Sequence, residues 1–178
     1  MTNQRERRSK GLDLGVGRRS EKEFAVAEPQ ISWSNEPPEL HLHVFCPSRS
    51  SQWEIKQPPL IPVCCVDDVS LQRLLFYWNA DKVVTFGSSL CWIDYCHGII
   101  LCDVFDDSPV LYYKEFPTKV PNLYGNCHVT GWVDACQTVG VTGCGSMKYV
   151  TILCAATARL QESTNISPLL VSLSPLGL

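Results

Sequence analysis

Apolar and polar positions alternate with a period of two over much of the chain, most clearly at Leu40-His41-Leu42-His43-Val44-Phe45. Successive side chains of a strand point to opposite faces, so this run predicts a half-buried strand. Leu40, Leu42 and Val44 share one face, and His41 and His43 the other. Residues 24–27 predict a short strand before it, and residues 28–39, with Pro29, Pro37 and Pro38, a loop. A strand over 52–56 places Trp53 and Ile55 on one face, and Pro58-Pro59 ends it. Residues 61–66 form a short apolar run closed by Asp67-Asp68. Within 69–78, Leu71, Leu74, Leu75 and Trp78 fall at i, i+3, i+4 and i+7, the spacing of one helix face. The same run also fits an apolar strand.

The densest signal is the stretch from Leu90 to Tyr113, LCWIDYCHGIILCDVFDDSPVLYY. With residues 82–86 and a Gly87-Ser88-Ser89 hairpin loop before it, it predicts an antiparallel meander over 82–86, 90–95, 98–105 and 110–116. Gly98 and the Asp106-Asp107-Ser108-Pro109 cluster supply the turns. Residues 117–126 read as loop, and 138–141 and 147–153 as strands around Gly143-Cys144-Gly145. Trp92-Ile93-Asp94-Tyr95-Cys96 has a weaker copy at Trp132-Val133-Asp134-Ala135-Cys136, 40 residues on, and Trp53 lies 39 residues upstream of Trp92. A four-stranded propeller blade occupies a period of that length. The predicted fold is therefore mainly β, with antiparallel meanders resembling partial β-propeller blades and room for one short helix.

Composition sets limits on this reading. Hydrophobic residues make up 45% of the 178 residues and charged residues 19%, enough apolar material for a packed core. Residues 1–22 hold seven basic against three acidic residues and read as a disordered basic tail. The paired arginines there also fit a nuclear address. The remainder holds eight basic against fifteen acidic residues, an acidic body that weighs against nucleic acid as a partner. No run has the length of a membrane span and no secretory leader is read, so the expected setting is intracellular, with the ten cysteines as thiols. The domain is expected over 23–154, with 155–178 a poorly ordered tail.

The chemistry-bearing residues do not assemble into a reaction signature. Cys91, Cys96-His97, Cys102 and Cys127-His128 invite a zinc reading, but the spacings are not those of paired C-x-x-C ligands, and buried thiols account for them better. A cysteine–histidine nucleophile has no local signature here. Asp103, Asp106 and Asp107 lack the closing glutamate of a calcium loop and read as turn formers. The glycines from Gly140 to Gly145 do not place Lys148 where a phosphate loop needs it. No cofactor is expected. Asp94 and Asp134 follow an aromatic and a β-branched residue in both copies, and are expected to bond backbone donors and lock a turn.

Four segments, FAVAEPQI from Phe24, QWEIK from Gln52, the run from Leu90 with its following Phe116-Pro117, and VGVTGCGSMKYV from Val139, resemble the plant domain-of-unknown-function family 1618, which is expanded in grasses. The resemblance covers residues 24–150, and the part after Val150 departs from the pattern. It implies a propeller-like fold, no known enzymatic activity, no catalytic residues, and a chain shorter than most members, expected to be either a truncated member or an imperfect gene model. Trp92, Asp94, Gly98 and Asp103 are its structural positions in this chain, and Trp132 and Asp134 those of the weaker internal copy. Some members sit beside an F-box, so a ubiquitin-ligase substrate-recognition role is an alternative. A thiol enzyme using Cys96 or His97, and a non-functional fragment, are others. The leading expectation is a non-catalytic module that binds an unknown protein partner, of undetermined oligomeric state. Tyr112, Tyr113, Tyr124 and Trp132 are its expected interaction anchors, because one of two adjacent strand residues must face outward.

Overall fold

The computed structural model describes residues 13–32, 38–63, 67–116, 137–142, 147–154 and 166–173. Among them are twelve strands and one helix, in three sheets. Sheet A is an antiparallel meander of β1 (Gly15–Arg18), β2 (Phe24–Ser32), β3 (Glu39–Phe45) and β4 (Glu54–Lys56). Sheet B has the order β5-β9-β8-β7-β6, from β5 (Leu60–Pro62), β6 (Lys82–Phe86), β7 (Ser89–Asp94), β8 (Gly98–Asp103) and β9 (Leu111–Glu115). Its strands pair antiparallel except β5, which runs parallel to β9. Sheet C is the antiparallel meander β10 (Gln137–Val141), β11 (Met147–Cys154) and β12 (Ile166–Leu173). The helix α1 (Asp68–Tyr77) joins β5 to β6.

Sheet B lies at the centre of the stack, and the alternation along its strands explains why. One parity of β7, β8 and β9 (Leu90, Trp92, Ile100, Cys102, Leu111, Tyr113) packs against Ala25, Ala27, Leu40, Leu42 and Val44 of sheet A. The other parity (Cys91, Ile93, Ile99) packs with Tyr95 and Phe116 against Val139, Met147 and Tyr149 of sheet C. Phe116 and Tyr149 stack with ring centroids 4.2 Å apart. A strand apolar on both faces is the signature of burial from both sides, and SLCWID in β7 is buried from Leu90 to Asp94. One edge of each sheet lies together with the others: β1 against β6 and β7, and β10 against β6.

At the α1 position the helical reading holds. Asp67 caps it, its carboxylate accepting from the Ser70 backbone N–H at 2.8 Å and from the Ser70 hydroxyl at 2.9 Å. Those bonds hold the Asp67 carboxyl below its usual range. Leu74, Leu75 and Trp78 are buried on the core-facing stripe, with Leu71 packed beside them.

Several expectations are corrected. Residues 13–22 are not tail: β1 pairs with β2 over Phe24–Ala27, and the Asp13 carbonyl accepts from the Trp92 indole N–H at 2.6 Å. Gly15 and Gly17 let β1 come close, since a Cβ at Gly15 would lie 2.8 Å from a Val83 methyl. Strand β2 runs on through Pro29 into the predicted loop. Pro29 lies beyond the stretch that β1 covers, where a missing N–H is tolerated. Within 155–178, β12 pairs with β11 along its whole length. The 40-residue period does not index the sheets either. Trp53 precedes the edge strand β4 and is 49% exposed, whereas Trp92 is fully buried in the inner strand β7. The predicted loops at 117–126 and 143–145 lie outside the described residues.

Candidate functional site

Polar chemistry concentrates at the β7–β8 turn. Asp94, the last residue of β7, is 2% exposed. Its Oδ1 accepts from the backbone N–H groups of Cys96 (2.9 Å) and His97 (3.1 Å). Its Oδ2 accepts from the Asn79 backbone N–H at 2.9 Å and lies 2.8 Å from His97 Nδ1. One carboxylate thus closes its own turn and ties it to the segment after α1. Asp81 adds a parallel link, its carboxylate accepting from the Tyr95 N–H at 2.9 Å while its own N–H donates to the Ile93 carbonyl at 2.7 Å. On the far side Tyr113 donates its hydroxyl to the His97 carbonyl at 2.7 Å and meets Trp78 edge-on. Gly98 follows at φ +148, where a side chain would run into the Lys114 carbonyl.

Chemically, this arrangement orients an imidazole. With Nδ1–H facing Asp94, the neutral ring of His97 carries its lone pair on Nε2. A carboxylate behind a histidine is part of a hydrolytic triad, but a triad needs a nucleophile on that ring and an oxyanion site as well. The same carboxylate also meets three backbone donors, which is the work of a turn lock. Among the described residues no group of three or more His, Cys, Asp or Glu side chains is arranged to hold a metal ion.

The second acidic cluster is also structural in its contacts. Asp103 accepts from the Ser88 hydroxyl at 2.7 Å and from the Phe105 N–H at 3.0 Å, pinning the β6–β7 loop to the turn after β8. Asp106 accepts from the Ser108 N–H at 3.0 Å, a local turn of the chain. Sheet A reaches this turn with Arg49, 2.8 Å from the Asp107 carboxylate, and with Lys56, whose ammonium donates to the Asp106 and Asp107 carbonyls. The thiols of Cys91 and Cys102 are buried. Burial pushes both upward; Cys102 reaches about 12, helped by the nearby charges of Asp103 and Asp106. Such groups stay protonated and are poor nucleophiles. Cys96, in the turn itself, is exposed.

Of the expected anchors, Tyr113 is corrected: it faces sheet A, 4% exposed, because its position in β9 shares parity with Leu111. Tyr112 is half-buried on the opposite face, beside Leu101 and Ile61 in register. Tyr124, Trp132 and Asp134 lie outside the described residues. Exposed apolar side chains occur on α1 (Val69, Phe76, Tyr77) and also on the face of sheet A turned away from sheet B. Val16, Val26 and Phe45 stand in register across β1, β2 and β3. Trp53 packs on Phe45 with ring centroids 5.6 Å apart, and Ile55 pairs with His43 beside it. Val16 is 56% exposed and Ile55 64%. The signal for this face was in the sequence: Trp53 and Ile55 share a side of their strand, opposite the aliphatic side of β3.

Residues 92–172 match the model of a family described as a protein of unknown function (DUF1618). The match runs from β7 into β12. It begins later than the resemblance read from the sequence and continues past Val150 to residue 172. No curated protein and no solved structure matches the chain.

Proposed function

We propose that this protein is a non-catalytic protein-interaction module, and that it docks its partner through the outward face of sheet A. The observation that carries this reading is the row Val16, Val26, Phe45, Trp53 and Ile55 on that face. Sheet B carries apolar residues on both faces because sheets cover both. Sheet A carries a second apolar side too, and large exposed aromatic and aliphatic groups are the usual anchors of protein–protein contacts. The occupant is then an apolar surface of another protein, with the Trp53–Phe45 pair as its central contact. The polar groups support the same view, since Asp94, Asp103 and Asp107 meet backbone donors or neighbouring side chains rather than an open cleft. The propeller-like reading draws support from three sheets stacked in sequence order with β1, β6 and β10 close together.

The test compares immobilised wild-type chain with the double variant Trp53→Glu, Ile55→Glu as bait, after confirming equal melting. A partner retained by the wild type and lost from the variant supports the reading. The same proteins on both baits, or none on either, contradicts it.

A further inference from the structure

Among the described residues, the sheet edges of this fold are protected, with one exception. An exposed edge presents unpaired N–H and C=O groups, and proteins blunt it by shortening it, charging it, placing proline on it or covering it. In sheet A, β4 is three residues long and carries Glu54 and Lys56, and β1 lies against β6 and β7. In sheet B, β5 is three residues long, ends on Pro62 and follows Pro58-Pro59, while β6 is flanked by β1 and β10. In sheet C, the Lys82 ammonium donates to the Val139 carbonyl of β10 at 3.2 Å. Among the described residues, strand β12 has none of these devices except Pro168. It is eight residues long, pairs with β11 from Ile166 to Leu173, and is the last strand of its sheet among the described residues. Its sequence ISPLLVSL is uncharged, and no charged residue occurs anywhere in 163–178.

We propose that β12 is an association edge, filled by β12 of a second copy in antiparallel pairing, so that the two copies of sheet C join as one continuous sheet. Three observations favour a second copy as the occupant. An antiparallel pair of identical strands is related by a two-fold axis, the commonest symmetry of soluble dimers. An uncharged strand places no like charges opposite each other when it meets itself. All of the chain's charge excess lies outside this strand, so a contact between copies along it brings no charge repulsion of its own. Main-chain bonds along the strand supply the adhesion, as in other strand-addition contacts. This surface is separate from the outward face of sheet A, and its test is independent of that reading.

The experiment is sedimentation velocity on the full chain over a wide concentration range. Wild type, Leu170→Lys and Leu170→Glu are run singly, and the two variants are also mixed. Leu170 lies inside β12, at the register position opposite half-buried Val150 of β11 rather than opposite fully buried Tyr149. A reversible wild-type dimer, lost in each variant alone and restored in their mixture, is the expected result. Circular dichroism of the variants should keep the wild-type β signal, which separates lost association from lost folding. A wild-type monomer at every concentration overturns the proposal. So does a dimer that both variants retain, or one that each variant loses and the mixture fails to restore.

Discussion

Replacing Asp94 with alanine removes an acceptor from the centre of the β7–β8 turn, and the structure lets the cost be worked out. Four groups face the carboxylate: the N–H donors of Asn79, Cys96 and His97, and the His97 ring. The His97 N–H keeps a second partner, the Asp94 carbonyl at 3.0 Å, so it is not orphaned. The Asn79 donor loses the Asp94 bond in a half-buried setting, where an orphaned donor costs about 1–3 kcal/mol, whereas exposed Cys96 can turn its N–H to water. The expected loss is therefore about 1–3 kcal/mol. Asparagine at this position keeps one carbonyl oxygen for the Cys96 and His97 side. Its NH₂ group then faces the Asn79 donor, so Asp94→Asn should cost roughly half as much. Urea unfolding of the full chain, followed by circular dichroism and by tryptophan fluorescence, measures both. If Asp94→Ala unfolds within about 0.5 kcal/mol of wild type, the turn-lock account is wrong, because that is the scatter of neutral surface changes.

Other outcomes follow from the same contacts. Gly98→Ala should destabilise by at least about 2 kcal/mol, since it combines a positive φ with a clash on the Lys114 backbone; an unchanged urea midpoint would refute this. In native protein at neutral pH, iodoacetamide should label Cys96 and spare Cys91 and Cys102, with both appearing by mass spectrometry only in denaturant. Native-state labelling of Cys102 at a rate like that of Cys96 would contradict its burial. The carboxyl of Asp67 is held low by its bonds to Ser70, so its contribution is present above the ordinary carboxylate range and lost as pH falls through the folded value. The stability gap between wild type and Asp67→Ala should therefore close on acidification, and a gap independent of pH would count against the cap.

Much of the central sheet was legible in the sequence because local pattern and tertiary context agree there. Residues 82–86 became β6 with no change of bounds, and Leu90 to Tyr113 folded as the predicted meander, with turns at Asp94–Gly98 and Asp103–Ser108 carrying the residues those turns need. Where the two disagree, tertiary packing decides. Gly15-Val16-Gly17 looks like linker, yet it is a strand because its missing Cβ atoms let it sit against Val83, Leu90 and Phe105. Pro29 signals a loop, yet β2 carries it past the end of its neighbour. Strand β5 is three residues of parallel pairing, and no local period announces so short an element. Of the site residues, Asp94 could be picked out by its place before a turn, but its bond from Asn79 arises through an element fifteen residues away. The Tyr112–Tyr113 pair required one outward residue without saying which, and the parity set by Leu111 decided it. On the outward face of sheet A the Trp53–Ile55 side was legible, but its continuation through Phe45, Val26 and Val16 was not, because these come from separate strands joined only by register.

The central claim, that the outward face of sheet A is the docking surface, is tested most directly by hydroxyl-radical footprinting of the full chain with and without the partner retained by the wild-type bait. Oxidation of Trp53 and Phe45 should fall on binding, while that of Phe76 and Tyr77 on the exposed side of α1 stays level. Unchanged oxidation at Trp53, or protection confined to α1, would contradict the account.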